Sequence, residues 1–118
     1  MKGLIIKPKW ADLILNGYKD IEIRGSNTTV RGKIGIIKSG TKKVYGTVEL
    51  YDCKEIGKWE FENIFIPRHQ LDMTYEELLK IYPKPYGWFL KSPKIYDEPK
   101  NYEHKLGSVV WVNLDEGE

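Results

Sequence analysis

The sequence predicts an α+β fold, mainly β: a small β-barrel of five to six strands with two or three short helices. Three observations carry this reading. Short apolar and β-branched stretches recur along the chain and are separated by turns, not by the long helices of a βαβ pattern. Only two stretches show helical periodicity, one ahead of the second strand and one late in the chain. The chain has 118 residues, 41% hydrophobic and 31% charged, which suits one domain with a working core. Residues 1–118 are therefore expected to form a single domain.

The elements follow in order. Gly3-Leu4-Ile5-Ile6 is a continuous apolar run of the kind a buried strand shows. Pro8 suits the first turn of a helix, where its missing N–H costs nothing. Trp10, Leu13 and Ile14 share one helical face, and Asn16-Gly17 supplies a C-terminal stop, so a helix is expected over 8–16 with Trp10 in the core. Lys19–Arg24 alternates as a strand does, with Ile21 and Ile23 on one face and Asp20, Glu22 and Arg24 on the other. Residues 25–32 are small and polar and read as a loop. Lys33–Lys38 is a third strand in which Gly35 marks a bulge or a close backbone approach. Ser39-Gly40-Thr41 turns the chain into a fourth strand, Val44–Tyr51.

Residues 53–72 carry no single pattern: 54–59 read as a helical turn and Phe61–Ile66 as a strand or extended loop. Thr74 and Glu77 form a capping box, Leu78, Leu79 and Tyr82 give the helix an apolar face, and Pro83 ends it. Tyr86–Leu90 reads as a strand. Residues 91–106 read as extended or loop-like, with Pro93 and Pro99 limiting sheet pairing. Val109–Leu114 is the last strand.

Charge and composition narrow the function. No apolar run approaches the length of a membrane span, and Met1-Lys2-Gly3 leads into a short apolar patch without a cleavage signal, so a cytoplasmic protein is expected. The lone Cys53 has no internal disulfide partner and is read as a small hydrophobe. The net charge is +2, but residues 1–50 hold 10 Lys/Arg against 4 Asp/Glu. A basic half of this kind suits a polyanion, as well as an ordinary solvated surface. His69 and His104 lack the spacing of a zinc site, and no serine sits in a nucleophile motif. No metal or cofactor is expected.

The charged groups of the second strand admit two readings. Glu22 and Arg24 form a simple pair on one strand face, or Lys19 and Arg24 meet phosphate while Glu22 accepts from a base amine. The turn Lys38-Ser39-Gly40-Thr41-Lys42-Lys43 is a basic glycine turn able to offer backbone N–H groups to phosphate, though it is no P-loop. Four tryptophans and eight tyrosines supply either core or stacking surface; Trp111 reads as core, and Trp88 as a candidate for stacking. His104 lies in a stretch able to reach a cleft.

KPKWADLILNGYKDIEIRG (7–25) resembles the signature of ASCH domains, members of the PUA-like fold: a helix, a glycine, then a strand whose marked positions here are Gly17, Lys19, Glu22 and Arg24. KIGIIKSG followed by VYGTVELYDC, and YGWFLKSPKIYDEPKNYEHKLG, resemble later segments of the same family. The resemblance implies a PUA-like barrel with a cleft beside the first helix and second strand, suited to RNA or a modified nucleoside. On that expectation Lys19, Glu22 and Arg24 line the site, Lys7, Lys38 and Ser39 assist with phosphate, and Trp88 stacks. A subset of the family resembles amidohydrolases that deacylate modified cytidine with a Lys, Thr and Glu, and there the strand reads K-T-x-T-x-R. Here Glu22 stands at the threonine position, so the hydroxyl nucleophile is missing and binding is the first reading. The alternative is a hydrolase of the amidohydrolase or ribonuclease kind, acting on an acylated nucleoside or RNA, with Glu22 as general base and Lys19 stabilising negative charge.

Overall fold

The computed structural model describes residues 1–108 and 110–114. Among these, six strands alternate with short helical segments: β1 (Lys2–Ile6), α1 (Pro8–Leu15), β2 (Ile21–Arg24), β3 (Gly32–Lys38), β4 (Lys43–Glu55), a π-helical turn (Glu60–Ile64), α2 (Ile66–His69), α3 (Tyr75–Ile81), β5 (Tyr86–Asn101) and β6 (Trp111–Asn113). The strands form one mixed sheet in the order β2-β5-β4-β3-β1-β6. Only β1 and β3 run parallel, because α1 and β2 intervene between them in the chain. The expected α+β, mainly β architecture is what the chain adopts.

The sheet curls into a half-barrel. Trp88 of β5 and Trp111 of β6 lie far apart in strand order, yet their rings stack with centroids 5.6 Å apart and planes 9° from parallel. Helix α1 plugs the open side: Ala11, Ile14 and Leu15 are buried against apolar residues of β1, β3, β4 and β5. Pro8 sits in its first turn as expected, and Gly17 takes a left-handed φ of 82° just past its end. Gly35 is a close approach: a methyl there would lie 3.0 Å from Leu114 and 3.1 Å from Val44.

The structure departs from sequence expectation in four places. Strand β4 runs past Tyr51 to Glu55, into the residues read as a helical turn. Phe61–Ile66 is neither strand nor extended loop: Phe61 lies in the π-helical turn, buried in a second apolar cluster with Ile21, Ile23, Ile56, Leu78 and Phe89, and Ile66 opens α2. The helical segments consequently outnumber the two or three expected. Strand β5 continues to Asn101 despite Pro93 and Pro99. Both prolines fall where the β4–β5 register is interrupted, so neither has to supply a ladder N–H. The last strand is shorter than 109–114; Val109 lies outside the described residues. The capping box is as expected, with the Thr74 side chain accepting from the Glu77 N–H and Glu77 accepting from the Thr74 N–H.

Candidate functional site

The site starts at the end of α1. The N–H groups of Tyr18 and Lys19 both donate to the Leu13 carbonyl, at 2.9 and 3.1 Å, so the Gly17 turn folds the chain tightly back before β2 begins. This carries the Lys19 side chain inward. Lys19 is 1% exposed, and its Nζ donates to the His69 carbonyl at 2.5 Å and lies 3.7 Å from Glu22 Oε1. The Trp10 ring centroid is 5.0 Å away. Burial pushes the Lys19 ammonium below its usual range, and the Glu22 carboxylate opposes that shift.

Glu22 and Arg24 complete a row of charges along β2. Glu22 Oε2 accepts from Arg24 Nε at 2.8 Å, and Arg24 Nη2 donates to the Ile5 carbonyl at 3.0 Å. Arg24 thus ties β2 to β1 across the mouth of the half-barrel, where the two strands are not paired. Glu22 is 6% exposed, so the charged face of β2 is largely buried, as is its apolar face. Ile21 and Ile23 pack under the 61–82 region, and the Lys19 and Arg24 cations make burial of the carboxylate tolerable.

Beside this row opens a cleft of about 490 Å³. Lys7, Trp10, Glu22, Arg24 and Ser39 line it from the β1–α1–β2 side and the turn after β3. Leu71, Met73, Leu78, Ile81 and Tyr82 line it from the region around α3. Its size and its mix of an apolar wall with a few polar groups suit a small planar ligand.

Of the residues singled out in the sequence, Lys7, Glu22, Arg24 and Ser39 come together at this cleft. Lys19 does not line it; it lies buried beside Glu22, 3.7 Å from Oε1. Lys38 turns away from the cleft lining, pairs with Asp12 of α1 at 2.6 Å and sits 4.2 Å from the Tyr45 ring centroid. Trp88 corrects the stacking expectation: it is 1% exposed, packs on Trp111, donates from Nε1 to the Ser26 carbonyl at 3.0 Å, and has the Arg24 guanidinium 5.6 Å from its ring. The aromatic groups that reach the cleft are Trp10 and Tyr82. Helical periodicity assigned Trp10 to the core and could not distinguish the rim of that face from its centre. Leu78 and Tyr82 were legible as an apolar helix face, but the placing of that face opposite β2 was not, because only chain folding brings residues 71–82 over β2. Cys53 is partly exposed, and burial raises its thiol pKa, so it is a poor nucleophile.

His69 holds that wall in place. It is 1% exposed and stacks on Phe61 with ring centroids 4.1 Å apart. Its Nδ1 accepts from the Leu71 N–H at 2.9 Å, so in the neutral ring Nε2 carries the proton and donates to the Phe61 carbonyl, also at 2.9 Å. Burial, opposed by the Phe61 carbonyl and reinforced by Lys19, lowers its pKa from the ordinary 6.5. A histidine with a depressed folded pKa contributes stability that is fully present above the unfolded value. That contribution is lost as pH falls from about 6.5 through the folded value. Melting temperature is therefore expected to drop on acidification below pH 6.5, and to drop less in His69→Gln, whose amide can serve both partners without titrating. Equal slopes for the two proteins on acidification from about one unit above the ordinary histidine value to about two units below it would remove His69 from the account.

The fold and site define a PUA-like half-barrel with a mixed polar and apolar cleft. A family model described as the ASCH domain matches residues 4–107, and the chain belongs to that family. Among solved structures, the ASCH protein from Zymomonas mobilis aligns with a TM-score of 0.70 at 18% identity, over 85% of this chain and 72% of that one. A single-residue mutant of the same Zymomonas mobilis protein aligns with a TM-score of 0.75 at 15% identity, over 98% of this chain and 88% of that one. The hypothetical protein PH0355 aligns with a TM-score of 0.51 at 17% identity, over 75% of this chain and 95% of that one. At these identities the likeness is one of fold. No curated protein matches the chain. No helix among the described residues is long and apolar enough to cross a membrane.

Proposed function

We propose that the protein binds RNA, or a modified nucleoside, in the cleft beside α1 and β2. The observation that carries this is the joining of Glu22, Arg24, Lys7 and Ser39 to an apolar wall in one cavity of about 490 Å³. A base is flat and apolar on its faces and polar at its edge. Leu71, Met73 and Tyr82 suit the faces, and Glu22 suits an exocyclic amine. Arg24 spends Nε and one Nη2 hydrogen on the protein and keeps further guanidinium hydrogens for a ligand. Exposed Lys7 supplies charge toward a phosphate.

Glu22 lies between the Lys19 and Arg24 cations. Arg24 occupies Oε2 and Lys19 lies 3.7 Å from Oε1, so the carboxylate is held in place with Oε1 left to accept from a ligand amine, which supports the recognition reading. Titration of a single-stranded RNA by fluorescence anisotropy at several salt concentrations tests the proposal. Lys7→Ala is expected to weaken binding several-fold and to lower the salt slope by roughly one. Arg24→Ala, with its fold checked by circular dichroism, is expected to weaken binding by about tenfold or more. Affinities and slopes unchanged in both variants would sink the proposal. Turnover of N4-acetylcytidine or RNA by the native protein, abolished in Glu22→Gln, would replace it with the hydrolase reading.

A further inference from the structure

A second cavity, of about 240 Å³, adjoins the cleft and shares Ile5 and Ser39 with it. Gly40 and Lys42 from the turn after β3 line it, as do Tyr102, His104 and Ser108 from the segment after β5. It therefore offers two hydroxyls, an imidazole and an ammonium as donors, with the Tyr102 phenol engaged by His104, and no carboxylate among its described lining residues. This is the donor-rich set that a phosphate requires.

The groups are held in place. The turn is closed by the Thr41 N–H and hydroxyl, which both donate to the Lys38 carbonyl, at 3.1 and 2.7 Å. Within it Gly40 and Lys42 take left-handed φ values of 86° and 57°. For lysine that conformation is strained, and such strain is concentrated at ligand clamps. The Tyr102 hydroxyl lies 2.8 Å from His104 Nδ1, which fixes the ring. With the phenol donating to Nδ1, Nε2 carries the proton and is a donor.

We propose that this cavity is a phosphate subsite continuous with the cleft. The ligand is then a nucleotide unit, its base in the cleft and its phosphate held by Ser39, Lys42 and His104. The placement of the base rests on the function proposed above; the phosphate subsite stands on its own lining.

Calorimetric titration of the full chain with cytidine, cytidine 3′- and 5′-monophosphate, a cytidine-containing dinucleotide and inorganic phosphate tests it. Lys42→Asn, which tolerates the left-handed turn, and His104→Ala are compared with the native protein. A phosphorylated ligand is expected to bind about tenfold or more tightly than cytidine, and each variant is expected to remove most of that advantage while leaving cytidine affinity unchanged. A gain from the dinucleotide alone identifies an internucleotide phosphate, and a gain from a mononucleotide alone a terminal one; both support the subsite. Inorganic phosphate binding that Lys42→Asn abolishes, without any nucleoside binding, supports the subsite and overturns the base-binding reading. Equal affinity for cytidine and every phosphorylated ligand, or variants that lose nothing, overturns the subsite.

Discussion

Replacing Lys19 with methionine is expected to lower stability by about 2 kcal/mol, read as a fall in the urea midpoint without a change in slope. Methionine keeps most of the side-chain volume, so the effect isolates the ammonium. Its loss strips the buried His69 carbonyl of its donor and Glu22 of one of its two cations. Breaking a buried pair completely costs about 3–5 kcal/mol, but two facts reduce the figure here. Glu22 retains Arg24, and burial already disfavoured the charged lysine, so methionine relieves a desolvation cost. Lys19→Met and Glu22→Gln together are expected to cost about 1 kcal/mol less than the sum of the two single changes. Additive costs would show that the two groups are not coupled through the 3.7 Å contact. RNA affinity should also fall in Lys19→Met although Lys19 does not line the cleft, because the Glu22 carboxylate loses one of the cations that orient it.

Trp88→Ala is expected to cost about 4 kcal/mol, the largest single effect in the molecule. The indole is 1% exposed, stacks on Trp111 and underlies Arg24, so its removal opens the core where the half-barrel curls closed. The conservative Trp88→Phe keeps most of the ring and gives up the bond to the Ser26 carbonyl. It should fold and bind RNA close to the native affinity. A well-folded Trp88→Phe that binds RNA tenfold more weakly would restore the stacking role that the burial of Trp88 argues against.

The two substitutions separate layers of one site. Trp88 underlies Arg24 and Lys19 lies beside Glu22, and of these four Arg24 and Glu22 line the cleft. The wall opposite hangs on His69, whose partners are the Phe61 carbonyl, the Leu71 N–H and, through its own carbonyl, the Lys19 ammonium. Acid that protonates His69 therefore acts on the same residues that shape the cleft.

Local pattern determined a great deal of this protein. Pro8 and Gly17 bounded the first helix, Thr74 and Glu77 opened a later one, and the β-branched runs marked the strands, because capping and periodicity are properties of a few neighbouring residues. The positions Gly17, Lys19, Glu22 and Arg24 were marked by a family resemblance, and of these Glu22 and Arg24 line the cleft of about 490 Å³. Tertiary structure decided the rest. Periodicity placed Glu22 on the face opposite the isoleucines and left its burial open; curling of the sheet and the cover of residues 61–82 buried it, and two cations compensated. Phe61–Ile66 turned out helical, with the Phe61 ring buried in the second cluster and its carbonyl accepting from His69 eight residues on, contacts no local pattern encodes. Trp88 went to the core, and Trp10 packs against the core while reaching the cleft, for a related reason. Sequence shows that a side chain is apolar, and only the packing of α1, β5 and β6 decides which ring closes the barrel and which reaches its rim.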